Sequence, residues 1–73
     1  MKVFIKLLSG DIQTIRVNSE FNSFALGDEV MNSVATNFSV DFRRIVLFRR
    51  GDTVKMEDEI DNGEMLEVFI KED

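Results

Sequence analysis

The stretch MKVFIKLLSGDIQTIRV constrains the fold more than any other part of this chain. Val3, Ile5 and Leu7 alternate with Lys2, Phe4 and Lys6, while Ile15 and Val17 flank Arg16 in a second apolar run. Between them, Ser9, Gly10 and Asp11 carry turn chemistry. The pattern predicts two strands joined by a tight turn, a hairpin that begins at Met1. Ile12 and Gln13 invert the alternation at the start of the second strand, which predicts either a bulge or a partly exposed isoleucine.

In NSEFNSFALGDEVMNSVATNF the apolar period changes from two to about 3.6. Leu26, Val30 and Val34 recur at i, i+4 and i+8, and Met31, Ala35 and Phe38 widen the stripe. This predicts one helix, capped at its N-terminus by Asn22 or Ser23, with Phe21 stapled to Leu26. Asp28 and Glu29 suit the positive end of the helix dipole, whereas Gly27 is a poor helix former, and Thr36 and Asn37 mark the expected end. A helix with these weaknesses needs the sheet to hold it. Ser39 to Asp41 then form a polar connection, with Val40 and Phe42 tucked beneath it.

RRIVLFRRGDTV is β-branched and aromatic, so it predicts a strand with Ile45 and Leu47 on one face and Val46 and Phe48 on the other. Arg50-Gly51-Asp52 supplies the turn before Val54; although it spells an integrin-type tripeptide, a glycine turn is its ordinary reading. KMEDEIDNG is polar and irregular, with Met56 and Ile60 as its anchors. Its acidic residues Glu57, Asp58, Glu59 and Asp61 lack the spacing of a calcium loop and read as solvated. Asn62-Gly63 turns the chain into EMLEVFI, which places Leu66, Val68 and Ile70 on one face and Met65, Glu67 and Phe69 on the other. The order of elements is α+β, with one helix crossing one sheet in a single domain, residues 1–73. One helix covers one face only, leaving the other for solvent or a partner.

Composition narrows the chemistry. With no Cys and no His, the chain lacks thiolate nucleophiles, thiolate metal ligands and the usual neutral-pH base, so a non-enzymatic role is expected, with no cofactor and no metal. A domain of 73 residues buries only about 60% of its unfolded surface. Stability must therefore come from packing. A formal net charge of −5 argues against nucleic acid, and Arg43, Arg44, Arg49 and Arg50 are too short a block to reverse that argument. There is no apolar run of roughly 20 residues and no signal-peptide pattern, so a cytoplasmic or nuclear protein without membrane contact is expected.

These features together resemble the ubiquitin family. Met1, Phe4, Lys6, Leu8, Gly10, Thr14 and Val17 fall in register with the family's opening hairpin, and Leu26 and Val30 with its buried helix positions. Arg44-Ile45-Val46-Leu47 looks like its central strand, Gly51 and Val54 like the turn and buried aliphatic that follow, and Leu66, Val68 and Phe69 like its final strand. The resemblance spans essentially the whole chain. It implies a β-grasp fold, a mixed sheet of four to five strands with one helix packed across one face. The departures are a missing proline after the helix, a shorter stretch from Val54 to Leu66, and Lys6 as the only clear counterpart of the family's linkage lysines. The chain also ends Ile70-Lys71-Glu72-Asp73 rather than Gly-Gly, so the resemblance implies binding without conjugation.

Carried over residue by residue, the family's recognition patch becomes Leu8, Val46, Glu67 and Phe69, a carboxylate replacing the family's histidine. Strand parity adds Phe4 and Phe48, and Lys6, Arg44 and Glu67 form a polar rim. The expected function is a non-catalytic interaction module. Its implied partners are ubiquitin-binding domains, proteasome receptors or components of the ubiquitin machinery, and the exposed aromatics also allow a homodimer. Two other roles fit the same sequence: a divergent modifier made from a longer precursor, and a β-grasp scaffold subunit or small carrier of an enzyme complex.

Overall fold

In the computed structural model, which describes residues 1–21 and 23–72, strands β1 (Lys2–Lys6) and β2 (Ile12–Arg16) form the expected hairpin. Their antiparallel register runs unbroken from Lys2 opposite Arg16 to Lys6 opposite Ile12. No bulge interrupts it. Ile12 instead faces solvent, and Gln13 takes the inward position beside Ile5. The turn closes through the Leu7 N–H on the Asp11 carbonyl and the Gly10 N–H on the Leu7 carbonyl, with Gly10 at φ +95°, a region glycine enters without steric cost.

A short strand, β3 (Phe24–Leu26), comes next, and helix α1 (Gly27–Phe38) follows it directly. The helix thus starts later than its apolar period suggests. Ser23 is not its cap, and Asn22 lies outside the described residues. The backbone of Phe24, Ala25 and Leu26 pairs with a later strand, and that ladder holds the three residues extended. Leu26 is the N-cap residue, and its N–H is bonded by Glu29 Oε1 at 2.9 Å. The Gly27 and Asp28 N–H groups donate to the Asp58 and Met56 carbonyls, so a loop far away in sequence caps this helix. Phe21, expected to staple to Leu26, stacks its ring on Phe24, with centroids 4.4 Å apart.

The helix also ends later than Asn37. Phe38 packs against the core, the left-handed residue is Ser39 (φ 56°), and the Ser39 and Val40 N–H groups return to the Ala35 carbonyl. The Asn37 amide instead reaches across to Gln13 Oε1 at 3.2 Å, tying α1 to β2. Val40 and Phe42 do tuck against the core.

A 3₁₀ turn (Phe42–Arg44) leads into β4 (Ile45–Arg49), then β5 (Asp52–Thr53), β6 (Glu59–Asp61) and β7 (Met65–Ile70). Strand β6 gives the polar segment more order than its sequence suggests, because it pairs with β3 as a separate two-stranded ribbon. Ile60 is fully buried there, but Met56 leaves its side chain exposed to solvent. The remaining strands form a mixed five-stranded sheet in the order β2-β1-β7-β4-β5, with β1 and β7 parallel and α1 packed across one face. This is the β-grasp arrangement.

Between helix and sheet lie Val3, Ile5 and Ile15 from the hairpin, Val30 and Val34 from α1, and Leu47, Leu66 and Val68 from the central strands. Burying each contributes roughly 1.5–3 kcal/mol relative to exposure, and among the described residues no buried side-chain nitrogen or oxygen lacks a hydrogen bond. No described helix is long and apolar enough to cross a membrane.

Candidate protein-interaction surface

The pleat that sends Val3, Ile5, Leu66, Val68, Ile45 and Leu47 to the helix sends the alternate residues to the opposite side. Strand pairing arranges those alternates in rows. One row runs Thr14–Phe4–Met65 across β2, β1 and β7. The next runs Ile12–Lys6–Glu67–Phe48–Thr53 across all five strands. A third sets Phe69 beside Val46 on β7 and β4. Neighbours within a row stand about 4.8 Å apart, and rows are separated by about 6.7 Å.

Five of the seven residues expected in a recognition patch, Lys6, Val46, Phe48, Glu67 and Phe69, therefore meet on this face. Leu8 sits past the end of β1 in the turn and is 86% exposed, so it stands at the rim. Arg44, two residues before Val46, is engaged in fold maintenance: its Nε donates to the Lys71 carbonyl while the Lys71 N–H donates to the Arg44 carbonyl. That exchange joins the start of β4 to the end of β7.

Two further apolar residues belong to the face. Ile12 is 53% exposed and Met65 48%, close to the 46% of Phe69. Met65 was legible from strand parity alone, but its place beside Phe4 depends on the parallel β1–β7 register, which neither strand's alternation encodes. Phe4 is half-buried, and the Lys2 ammonium lies 5.6 Å from its ring centroid, within cation–π range.

Lys6 and Glu67 are cross-strand neighbours at the centre of the face, yet no ion pair joins them. Both side chains are exposed, with the apolar residues of the face around them. Lys2 and Arg16 stand opposite each other at the far end of the hairpin, and Arg44 and Lys71, with the parity of Val46 and Phe69, lie at the other end of β4 and β7.

The four arginines around β4 do not form a joint patch. Four residues, Ile45 to Phe48, lie between the two pairs, and the five steps of strand from Arg44 to Arg49 span about 17 Å. Arg43 is held by Asp41, whose Oδ1 caps the 3₁₀ turn on the Arg43 N–H at 2.8 Å and whose carboxylate pairs with the guanidinium at 3.0 Å. The Arg43 side-chain hydrogen bond, helped by its backbone N–H, lowers the Asp41 pKa to about 2. Arg49 Nε donates to Glu64 Oε2, and its Nη2 donates to the Glu59 carbonyl, strapping the end of β4 to β6 and to the β6–β7 connection. Arg50 occupies a turn with Gly51, at φ 52° and 87°, the geometry of a type I′ hairpin. In the acidic segment, Asp58 Oδ2 accepts the Lys55 N–H at 2.8 Å and closes a local turn.

No protein-family model matches this chain, and the search of curated proteins gives no match.

Proposed function

We propose that the chain is a non-catalytic, ubiquitin-like interaction module that docks protein partners through the solvent-facing side of its five-stranded sheet. The observation that carries this reading is the gathering of Ile12, Phe48, Met65, Phe69 and Val46 around one charged pair, with Leu8 at the rim. Contiguous apolar surface on a small monomer costs solubility and is a mark of interaction sites. By resemblance, the partners are ubiquitin-binding domains, proteasome receptors or ubiquitin-machinery components.

Phe69 and Phe48 would act as anchors, and Glu67 sets specificity. Where the family's patch presents a histidine, this chain presents a carboxylate. A partner therefore needs a cation or a donor opposite β7, and partners selected for an apolar or acidic group there are disfavoured.

The test is a nuclear magnetic resonance titration of the labelled chain with a helical ubiquitin-binding domain. Amide shifts should cluster on β1, β4 and β7 outward positions, and Phe69→Ala should weaken binding by roughly tenfold or more, as expected for a hot-spot residue. Shifts centred on α1, or a Phe69→Ala variant that binds as tightly as the parent, would overturn the reading.

A further inference from the structure

We infer that the same sheet face is self-complementary and takes a second copy of this chain, forming a weak two-fold dimer; this rests on reading the face as an interaction surface. The central row, Ile12–Lys6–Glu67–Phe48, fixes the geometry. A two-fold axis running along the strands, between β1 and β7, exchanges the two sides of each row. Lys6 of one copy then lies opposite Glu67 of the other, and the reciprocal pair forms at the same time. Ile12 meets Phe48 on the same row, and Phe4 meets Met65 on the next.

An axis across the strands has the opposite result. It would set Lys6 on Lys6 and Glu67 on Glu67, two like-charge contacts inside an apolar surround. Charge thus selects the strand-parallel axis, which also keeps the two sheets in the aligned packing common to sandwiches. Lys6 and Glu67 are both exposed at the centre of the face, so each can reach across to the opposite charge of a second copy.

Area places the contact in a size class. Four strands about 4.8 Å apart and three rows about 6.7 Å apart give a patch of roughly 400 Å² per copy, or about 800 Å² in the pair. That is below the size of stable interfaces and in the range of transient ones. An interface of this size class belongs to weak, readily dissociating association.

The experiment is sedimentation equilibrium of the chain from about 10 μM to about 1 mM, with charge-swapped variants. The parent should rise from 8.4 kDa toward twice that mass. Lys6→Glu and Glu67→Lys should each remain monomeric alone, since each opposes like charges. Mixed together they should associate, because every acidic position in one then faces a basic position in the other. The double variant K6E/E67K should self-associate as the parent does. A parent that stays monomeric at about 1 mM, or single variants that associate as well as the parent, overturns the inference, as does a mixture no heavier than its components. Loss of self-association with intact, Phe69-dependent partner binding would remove this inference and leave the proposed function standing.

Discussion

Gly27 lies so close to Lys55 that a Cβ at position 27 would overlap the Lys55 carbonyl oxygen. The first turn of α1 is pressed onto the 55–58 loop, which in return accepts the Gly27 and Asp28 N–H groups. Gly27→Ala improves helix propensity by about 1 kcal/mol, yet it forces backbone apart. The net expectation is destabilisation by roughly 1–3 kcal/mol, read as a lower urea midpoint at unchanged slope. A stabilised variant would show that the loop yields.

Outward and inward residues of the same strands should separate cleanly. Leu47→Ala, at a fully buried position, should cost roughly 2–5 kcal/mol. Phe69→Ala and Val46→Ala remove a cross-strand pair but leave no enclosed cavity, so each should cost about 1 kcal/mol or less. Urea denaturation of the three variants decides this. A core-sized loss at Phe69 would place it in the fold's interior instead of on its docking face.

Position 50 should accept improvement. Arg50 holds φ 52°, a conformation costly for most side chains, in the first central position of a type I′ turn. Arg50→Asn creates the preferred Asn-Gly pair and should stabilise the chain by roughly 0.5–1 kcal/mol, raising its melting temperature. An unchanged or lowered melting temperature counts against the assigned turn.

Asp41 gives a pH-dependent signature. Its carboxyl is lowered to about 2 by the Arg43 hydrogen bonds, below the ordinary unfolded value near 4. Charged Asp41 therefore favours the folded state above about pH 4, and the advantage disappears as pH falls through about 2. Asp41→Asn, which keeps a capping oxygen but no charge, should melt slightly lower than the parent at neutral pH. The gap should close toward pH 2; a gap constant across that range would exclude the ion pair as its cause.

The strand faces were the most legible part of the chain. In β1, β4 and β7, alternation grouped Val3 with Ile5, Ile45 with Leu47, and Leu66 with Val68 on one face and their neighbours on the other, but in the wholly apolar Ile45-Val46-Leu47-Phe48 run it took the family resemblance to say that Val46 and Phe48 face out. The helix boundaries were less legible, because Leu26 continues the 3.6-residue period while its backbone belongs to β3. Met56 reads as an anchor by residue type, yet the segment contributes its carbonyl to α1 and leaves the side chain in solvent.

Local pattern therefore determined which residues share a strand face and that one helix crosses the sheet, since periodicity is a property of neighbours in sequence, and composition alone showed that Cys and His are missing. Only the tertiary structure decided which outward residues meet. Phe4 touches the row of Met65, and Lys6 that of Glu67, through a parallel pairing between residues some sixty positions apart. Such pairing is set by how α1 and the intervening strands pack, so the charged pair at the centre of the face is a product of the fold, written in neither strand alone.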